Sequence, residues 1–329
     1  MENNIRLSLI VPFYGVEAYI EQCLLSMLRQ NISEEEYEII CVNDCSPDNS
    51  EDIVKRIASQ HSNVRLIKHE VNKKLGAARN TGLLAARGKY IWFVDSDDYI
   101  EENCLAEILT LCEHNNLEIL HFNIRNNDGD IVRSLLPTDV VAGPDEEIIS
   151  KKQECIEITY PWNRVYERDF LVRNKLFFND LYGGDVVHTI LAVDKCKRMM
   201  NINKCYHYYR IDNLNSDTRS ANTPEKLYRM NFVLAKAIAA IEHEMKAEWR
   251  PLIEECAPWR VNQAWRAILK FRIKDIIEFY NLLRSNHELY VFSLQIADSK
   301  TRNILKHKYV AILISPIYRT LRYLRNIIR

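Results

Sequence analysis

Four short apolar runs punctuate the first hundred residues, and stretches with helical spacing separate them. The first run, Leu7 to Val11, ends at Pro12. A run this short and this apolar predicts a strand buried on both faces. Over residues 17–30 the spacing changes, and Ile20, Leu24, Met27 and Leu28 share one face of a predicted helix. Glu38 to Val42 predicts a second buried strand, which runs into the polar loop Asn43 to Asp48. A helix follows with Asp48 or Ser50 as its N-cap. Val64 to Ile67 predicts a third strand, and Ala77 to Ala86 a helix closed by Gly88. Tyr90 to Val94 predicts a fourth strand that leads directly into Asp95.

Strands that alternate with helices predict an α/β fold with a parallel sheet covered on both faces. Ligands of such sheets sit beyond the carboxyl ends of the strands. Asp44 and Asp95 each follow a strand immediately, so they are expected to line one crevice although 51 positions separate them. Residues 125–150 read as polar and irregular, with Asn126 to Gly129 as a hairpin turn. Residues 160–215 are mixed and rich in Tyr, Arg and Asn. From about 223 to 290 the spacing is helical, and a basic segment occupies 299–329. The expected division is a nucleotide-binding half at 1–100 and an acceptor and catalytic half at 101–218. A helical extension is expected at 219–329.

Composition narrows the class without choosing a chemistry. The net charge is −1, which gives no general reason to expect nucleic-acid binding. Nine scattered cysteines show neither a CxxC pair nor zinc-type spacing, so reduced, mostly buried thiols of a cytoplasmic protein are expected. The start MENNIRLSLIVPFY is unlike a signal peptide, and no stretch of about 18 apolar residues occurs.

Three stretches carry candidate chemistry. Asp95-Ser96-Asp97-Asp98 places three carboxylates in four residues, which repel one another unless a cation joins them. One or two carboxylates with water and phosphate oxygens suit a hard divalent ion; an acidic solvated turn is the plainer alternative. In Asn43 to Ser50, a strand-end carboxylate can accept from a base N–H, or it can simply close an Asx turn. In Gly76 to Gly82 (GAARNTG), small residues admit a ligand or allow close helix–sheet packing beside a surface Arg. The dinucleotide and P-loop glycine patterns are both absent.

Taken in order, these stretches resemble the nucleotide-binding half of family-2 glycosyltransferases, whose GT-A fold is a doubly wound mixed sheet. The match runs through Ile10-Val11-Pro12-Phe13-Tyr14, Val42 to Ser50, Glu70 to Gly82 and Phe93 to Asp98. Cys45 and Lys74 stand where glycine is usual in that family, both in loops. The resemblance implies nucleotide-binding roles for Pro12, Tyr14, Asp44, Arg79, Asp95 and Arg210, with Asp44 and Arg79 on the base, commonly uracil. It further implies Asp97 and Asp95 as ligands of Mn2+ or Mg2+, with Asp98 in support. It persists through Trp162 to Tyr166 and through Tyr208-Tyr209-Arg210 with Ser216, where Arg210, helped by His207, would meet the diphosphate. The alternative for Arg210 is a surface Arg beside core tyrosines. Gly183-Gly184-Asp185 falls where the family carries a Glu-Asp pair, which makes Asp185 the implied general base; the Glu is absent. Asp185 would equally cap the helical run Val186 to Val193.

The implied activity is inverting transfer of a sugar from a nucleotide diphosphate to an acceptor hydroxyl, in cell-surface polysaccharide or glycolipid synthesis. The acceptor would be a saccharide or a lipid-linked saccharide. Two competing readings are a nucleotidyltransferase and a degenerate member that binds nucleotide or a partner without turnover. Pro12 to Val16 lacks the Gly-rich basic loop that the first requires, and the missing Glu before Asp185 is the feature that favours the second. In the last segment Ile317, Leu321, Leu324 and Ile328 line one face opposite Arg319, Arg322, Arg325 and Arg329. That pattern suits peripheral contact through 309–329 with the inner face of the cytoplasmic membrane, or packing on the protein itself.

Overall fold

The computed structural model describes residues 4–133, 140–141, 160–179, 184–213, 216, 223–241, 250–307, 311–312 and 315. The chain divides into two compact units, one of residues 1–180 and 184–216, the other of 181–183 and 217–329.

The first unit is a mixed sheet between helices. Its leading strands are β1 (Leu7–Phe13), β2 (Tyr37–Asn43), β3 (Val64–Lys68) and β4 (Tyr90–Phe93), joined by α1 (Ile20–Leu28), α2 (Ser50–Ala58) and α3 (Lys74–Ala85). They pair in parallel in the order β3-β2-β1-β4, with Leu7 opposite both Tyr37 and Tyr90. Every residue of β1, β2 and β4 is buried, as their largely apolar character predicts. Strands β2 and β3 are laid down to one side of β1 and β4 to the other, so the strand order switches between β1 and β4 and the ligand crevice of such a sheet opens there. Beyond β4 come β5 (Tyr99–Ile100), α4 (Leu105–His114), β6 (Ile119–Asn126), β7 (Ile131–Arg133) and β8 (Val140–Val141). They are followed by β9 (Arg164–Glu167), α5 (Arg168–Arg173), α6 (Gly184–Lys195) and β10 (Met199–Tyr209). β9 lies antiparallel between β4 and β6, and its Tyr166 pairs with both Ile91 and Ile119. The sheet is therefore mixed, as expected.

The core gathers Leu9, Val11, Leu24, Ile39, Trp92 and Phe122. The α3 helix lies unusually close to β1, because a Cβ on Gly82 would come within 2.3 Å of Ile10 Cγ2. For Gly82, then, the packing alternative holds. The Asn126 to Gly129 turn forms as expected, with Gly129 N–H donating to the Asn126 carbonyl at 3.0 Å. The α2 cap differs: Asn49 occupies the cap position, and Asp48 accepts from the Ser50 N–H at 3.1 Å.

The second unit is helical among its described residues. It holds α7 (Pro224–Tyr228), a π-turn (Arg229–Val233), α8 (Leu234–Ile241), α9 (Arg250–Ile268), α10 (Ile273–Ser285), α11 (His287–Ile296) and α12 (Ser299–Lys306). Phe232, Ile268, Phe279, Tyr280 and Leu305 form its core. Side-chain caps separate consecutive helices, from Asn286 to Leu289 N at 3.0 Å and from Asp298 to Thr301 N at 2.7 Å. No helix among the described residues is long and apolar enough to cross a membrane. Nearly all of the basic segment 309–329 lies outside the described residues. Seven of the described cysteines are free thiols, and five of these are buried.

Candidate functional site

The crevice at the carboxyl ends of β1, β2 and β4 is built from backbone-anchored carboxylates. Pro12 lies within β1, and Tyr14 just beyond it is half exposed. The Gly15 N–H donates to Ser46 Oγ at 2.8 Å, which ties the loop after β1 to the loop after β2. Asp44 follows β2 and is buried. Its Oδ1 accepts from the Lys73 N–H at 2.8 Å and contacts His69 Nδ1 at 2.7 Å, and its Oδ2 accepts from the Lys74 N–H at 2.8 Å. Three of roughly four lone-pair positions are used, so one remains for a donor such as a base N–H. The carboxylate also starts α3, by capping it from thirty residues away.

The two departures from the family's glycines both adopt left-handed backbone, with φ of 63° at Cys45 and 74° at Lys74. Cys45 lies in the loop after β2 as expected, whereas Lys74 is the first residue of α3 because Asp44 caps the helix there; both keep a glycine-like path with side chains that disfavour it. Lys74→Gly should stabilise the protein by about 0.5–1 kcal/mol, because a left-handed L-residue costs about 1–2 kcal/mol and glycine returns part of that as chain entropy. Urea unfolding measures it, and a lowered midpoint would contradict the account.

Arg79 pairs with two carboxylates of the crevice. It points out of α3 into the protein, is fully buried, and donates to Asp95 Oδ1 at 2.6 Å and to Asp185 Oδ1 at 2.5 Å. Its guanidinium carbon lies 5.1 Å from the Phe178 ring centre. It is therefore not the surface Arg of the packing alternative. Next to it, Asn80 grips the backbone of Phe178 through two hydrogen bonds of 2.7 and 2.9 Å. The fold thus brings Asp185 to Asp95 across about ninety positions of sequence. Asp185 sits in the first turn of α6 with about a third of its side chain exposed. Burial raises its carboxyl above the usual range; Arg79 opposes that rise and Asp95 adds to it. At Gly184, where the family's Glu would stand, a Cβ would come within 2.7 Å of the Asn179 carbonyl oxygen, so a side chain does not fit.

The acidic turn divides its carboxylates among different partners. Asp98 is buried, contacts His207 Nε2 at 2.8 Å and accepts from the Arg210 N–H at 2.8 Å. His207 stacks on Trp162 with ring centres 4.4 Å apart. Arg210 is largely buried: its Nε donates to the Asp97 carbonyl at 2.7 Å, and its guanidinium lies over Tyr19 and Tyr99. It braces the turn, so the surface alternative does not describe it. Among the described residues Asp97 has no cationic partner, and it accepts from Asn213 Nδ2 at 2.8 Å. Burial, then the charges of Asp98 and Asp95, push its carboxyl up to about 6.

Among the described residues, no group of three or more His, Cys, Asp or Glu side chains forms a ready-made metal cage. Asp97, with a charge held at a cost, and Asp95, with one oxygen outside the Arg79 pair, still fit a divalent ion that arrives with a diphosphate. Such ions are characteristically held by one or two carboxylates, substrate phosphates and water. A cavity of about 490 Å³ opens nearby, lined by Gln22, Tyr99, Glu101 and Tyr208 among others; Asp95, Asp97 and Asp185 do not line it.

The family model for glycosyl transferase family 2 matches residues 8–173, half of the chain. The chain belongs to that family. It is 34% identical over 224 residues to the uncharacterized glycosyltransferase EpsJ of Bacillus subtilis, a match that covers 66% of this chain and 64% of EpsJ. It is 30% identical over 244 residues to a poly(ribitol-phosphate) beta-glucosyltransferase of Bacillus spizizenii, covering 73% of this chain and 38% of that protein. The matches thus span less than two thirds of these relatives' own length. The structure of S. aureus TarS 1–349 in complex with UDP-GlcNAc superposes with a TM-score of 0.69 over 97% of this chain and 92% of that one, at 21% identity. At that identity the likeness establishes the fold, which is GT-A.

Sequence reasoning missed several residues of this family-2 site. His69 follows β3 as directly as Asp44 follows β2, so the strand-end signal that found one was available for the other. Gln22, Asn213 and Phe178 carry no local signal, because their partners come from distant segments.

Proposed function

We propose that this family-2 glycosyltransferase moves a sugar from a uridine diphosphate donor to an acceptor hydroxyl, with inversion at the anomeric carbon. The convergence of Asp95 and Asp185 on Arg79 carries this reading, since it sets a base candidate beside the acidic turn. Asp185 takes the proton of the acceptor hydroxyl. The acceptor oxygen bonds to the anomeric carbon, and the bond from that carbon to the diphosphate oxygen breaks, its electron pair leaving with the diphosphate. With one base and no nucleophilic carboxylate assigned, a single displacement follows. Asp97 and Asp95 would hold Mn2+ or Mg2+, which neutralises charge on the departing diphosphate. Asp44 uses its remaining lone pair for the uracil N3–H. Residues 1–218 carry this chemistry, and 219–329 form an extension.

The relatives support a polysaccharide acceptor, since one is named for poly(ribitol-phosphate), and the TarS complex supports a uridine donor. Peripheral membrane contact through 309–329 rests on the sequence pattern. Uridine diphosphate should bind at least about tenfold more tightly than guanosine or adenosine diphosphate in the presence of manganese, the scale of a differently satisfied buried hydrogen bond. Calorimetry with the three nucleotides measures this, and equal affinities would overturn the base assignment.

A further inference from the structure

We propose that Arg79 is a positioning residue, a single buried guanidinium that fixes the Asp185 carboxylate at a set place relative to the Asp95 turn. The role of Asp185 as base rests on the function proposed above; the placement does not. The guanidinium is fully buried and donates to both carboxylates, at 2.6 and 2.5 Å. A buried cation requires paired anions, and a nucleotide could reach it only by displacing one of them. Planar fork geometry lets one side chain orient two carboxylates at once, which a point charge on a flexible stem does not do.

The neighbouring packing acts on the same helix. Asn80, the next residue on α3, clamps Phe178 by both backbone groups. The Phe178 ring lies under Arg79 on one side and stacks on His188 on the other, with ring centres 4.0 Å apart and planes 9° from parallel. His188 is buried in α6, one turn beyond Asp185. Thus α3 grips α6 at two points, by charge at Asp185 and by the ring stack at His188. Both grips come from adjacent residues of the Ala-Arg-Asn stretch that the sequence suggested for ligand approach.

The test uses the full chain with Arg79→Lys and Arg79→Met, and UDP with manganese as the binding probe. Affinity for UDP should change by less than about threefold, because the guanidinium does not face the nucleotide. Transfer at saturating donor should fall by about 100-fold or more, the scale of a misplaced reacting group. Arg79→Lys should recover little of it. Hydrogen exchange at residues 184–190 should quicken by about tenfold as the first turn of α6 loses its anchor. UDP affinity weakened tenfold or more with transfer at saturation retained would overturn the proposal, as would unchanged exchange at 184–190. If Arg79→Met does not fold, Arg79→Lys keeps the cation and carries the same measurements. If the wild-type chain transfers no sugar, the proposed function fails, while UDP affinity and exchange still decide the placement.

Discussion

Asp185→Asn should leave a folded, donor-binding protein that transfers sugar at least about 100-fold more slowly, the usual scale for loss of a positioned general base. The base touches the acceptor and not the diphosphate, so UDP affinity in the presence of manganese should stay near wild type. Asn keeps the size of the side chain and can still accept from Arg79, which donates at 2.5 Å. It can also still serve the first turn of α6, so the melting temperature should fall little. Wild-type transfer should weaken on acidification from a point above the ordinary carboxylate range, because burial raises the Asp185 carboxyl. Rates and melting temperatures come from the same preparation. Near-normal transfer would move the base to another carboxylate, and Asp180, outside the described residues, is the nearest in sequence. A collapsed melting temperature would make Asp185 a structural residue.

Asp97→Ala should abolish the manganese dependence of UDP binding, because Asp97 is the carboxylate of the acidic turn with no cationic partner among the described residues. The same feature makes a second, opposite expectation for stability. The Asp97 carboxyl is raised to about 6 in the folded chain. A raised carboxyl is favourable to the fold below its unfolded value near 4, and that benefit is lost as pH rises through about 6. Above that, the ionised group destabilises the metal-free protein by on the order of 3 kcal/mol. Asp97→Asn should therefore raise the stability of the metal-free protein at pH 7–8 and change it little at pH 4. Thermal melts at the two pH values, without metal, measure the difference. Equal effects at both would mean that the charge of Asp97 is not held at a cost, and retained manganese dependence in Asp97→Ala would place the metal elsewhere.

How much was readable in advance follows from where each residue's partners lie. The strands β1, β2 and β4 were legible because both faces are buried, which favours largely apolar runs, and the partly buried β3 was legible from its short apolar run Val64 to Ile67. Their order in space then put Asp44 and Asp95 at one edge of the sheet without further information. The start of α3 was read three residues late, at Ala77 and not Lys74, because its cap is the Asp44 carboxylate, a tertiary contact. β9 escaped notice because Arg164–Glu167 is four residues long with no alternation, and pairing with β4 and β6 makes it a strand. The helical extension was legible from its spacing, and the caps at Asn286 and Asp298 divide it. At the site, residue types and strand-end positions found the carboxylates but not their pairing. The pairs that Arg79 makes are not legible in the sequence, because its two partners lie 16 and 106 positions away. The absent Glu before Asp185 also has a local cause invisible in sequence, the Asn179 carbonyl packed against Gly184.

The most direct test of the central claim is release of UDP from a panel of UDP-sugars by the full chain with manganese, with and without a ribitol-phosphate polymer, beside Asp97→Ala and Asp185→Asn. The account predicts release from at least one UDP-sugar, faster with acceptor, lost in Asp97→Ala and uncoupled from acceptor in Asp185→Asn. Release that is identical in all three proteins, or absent from wild type with every donor, would contradict it.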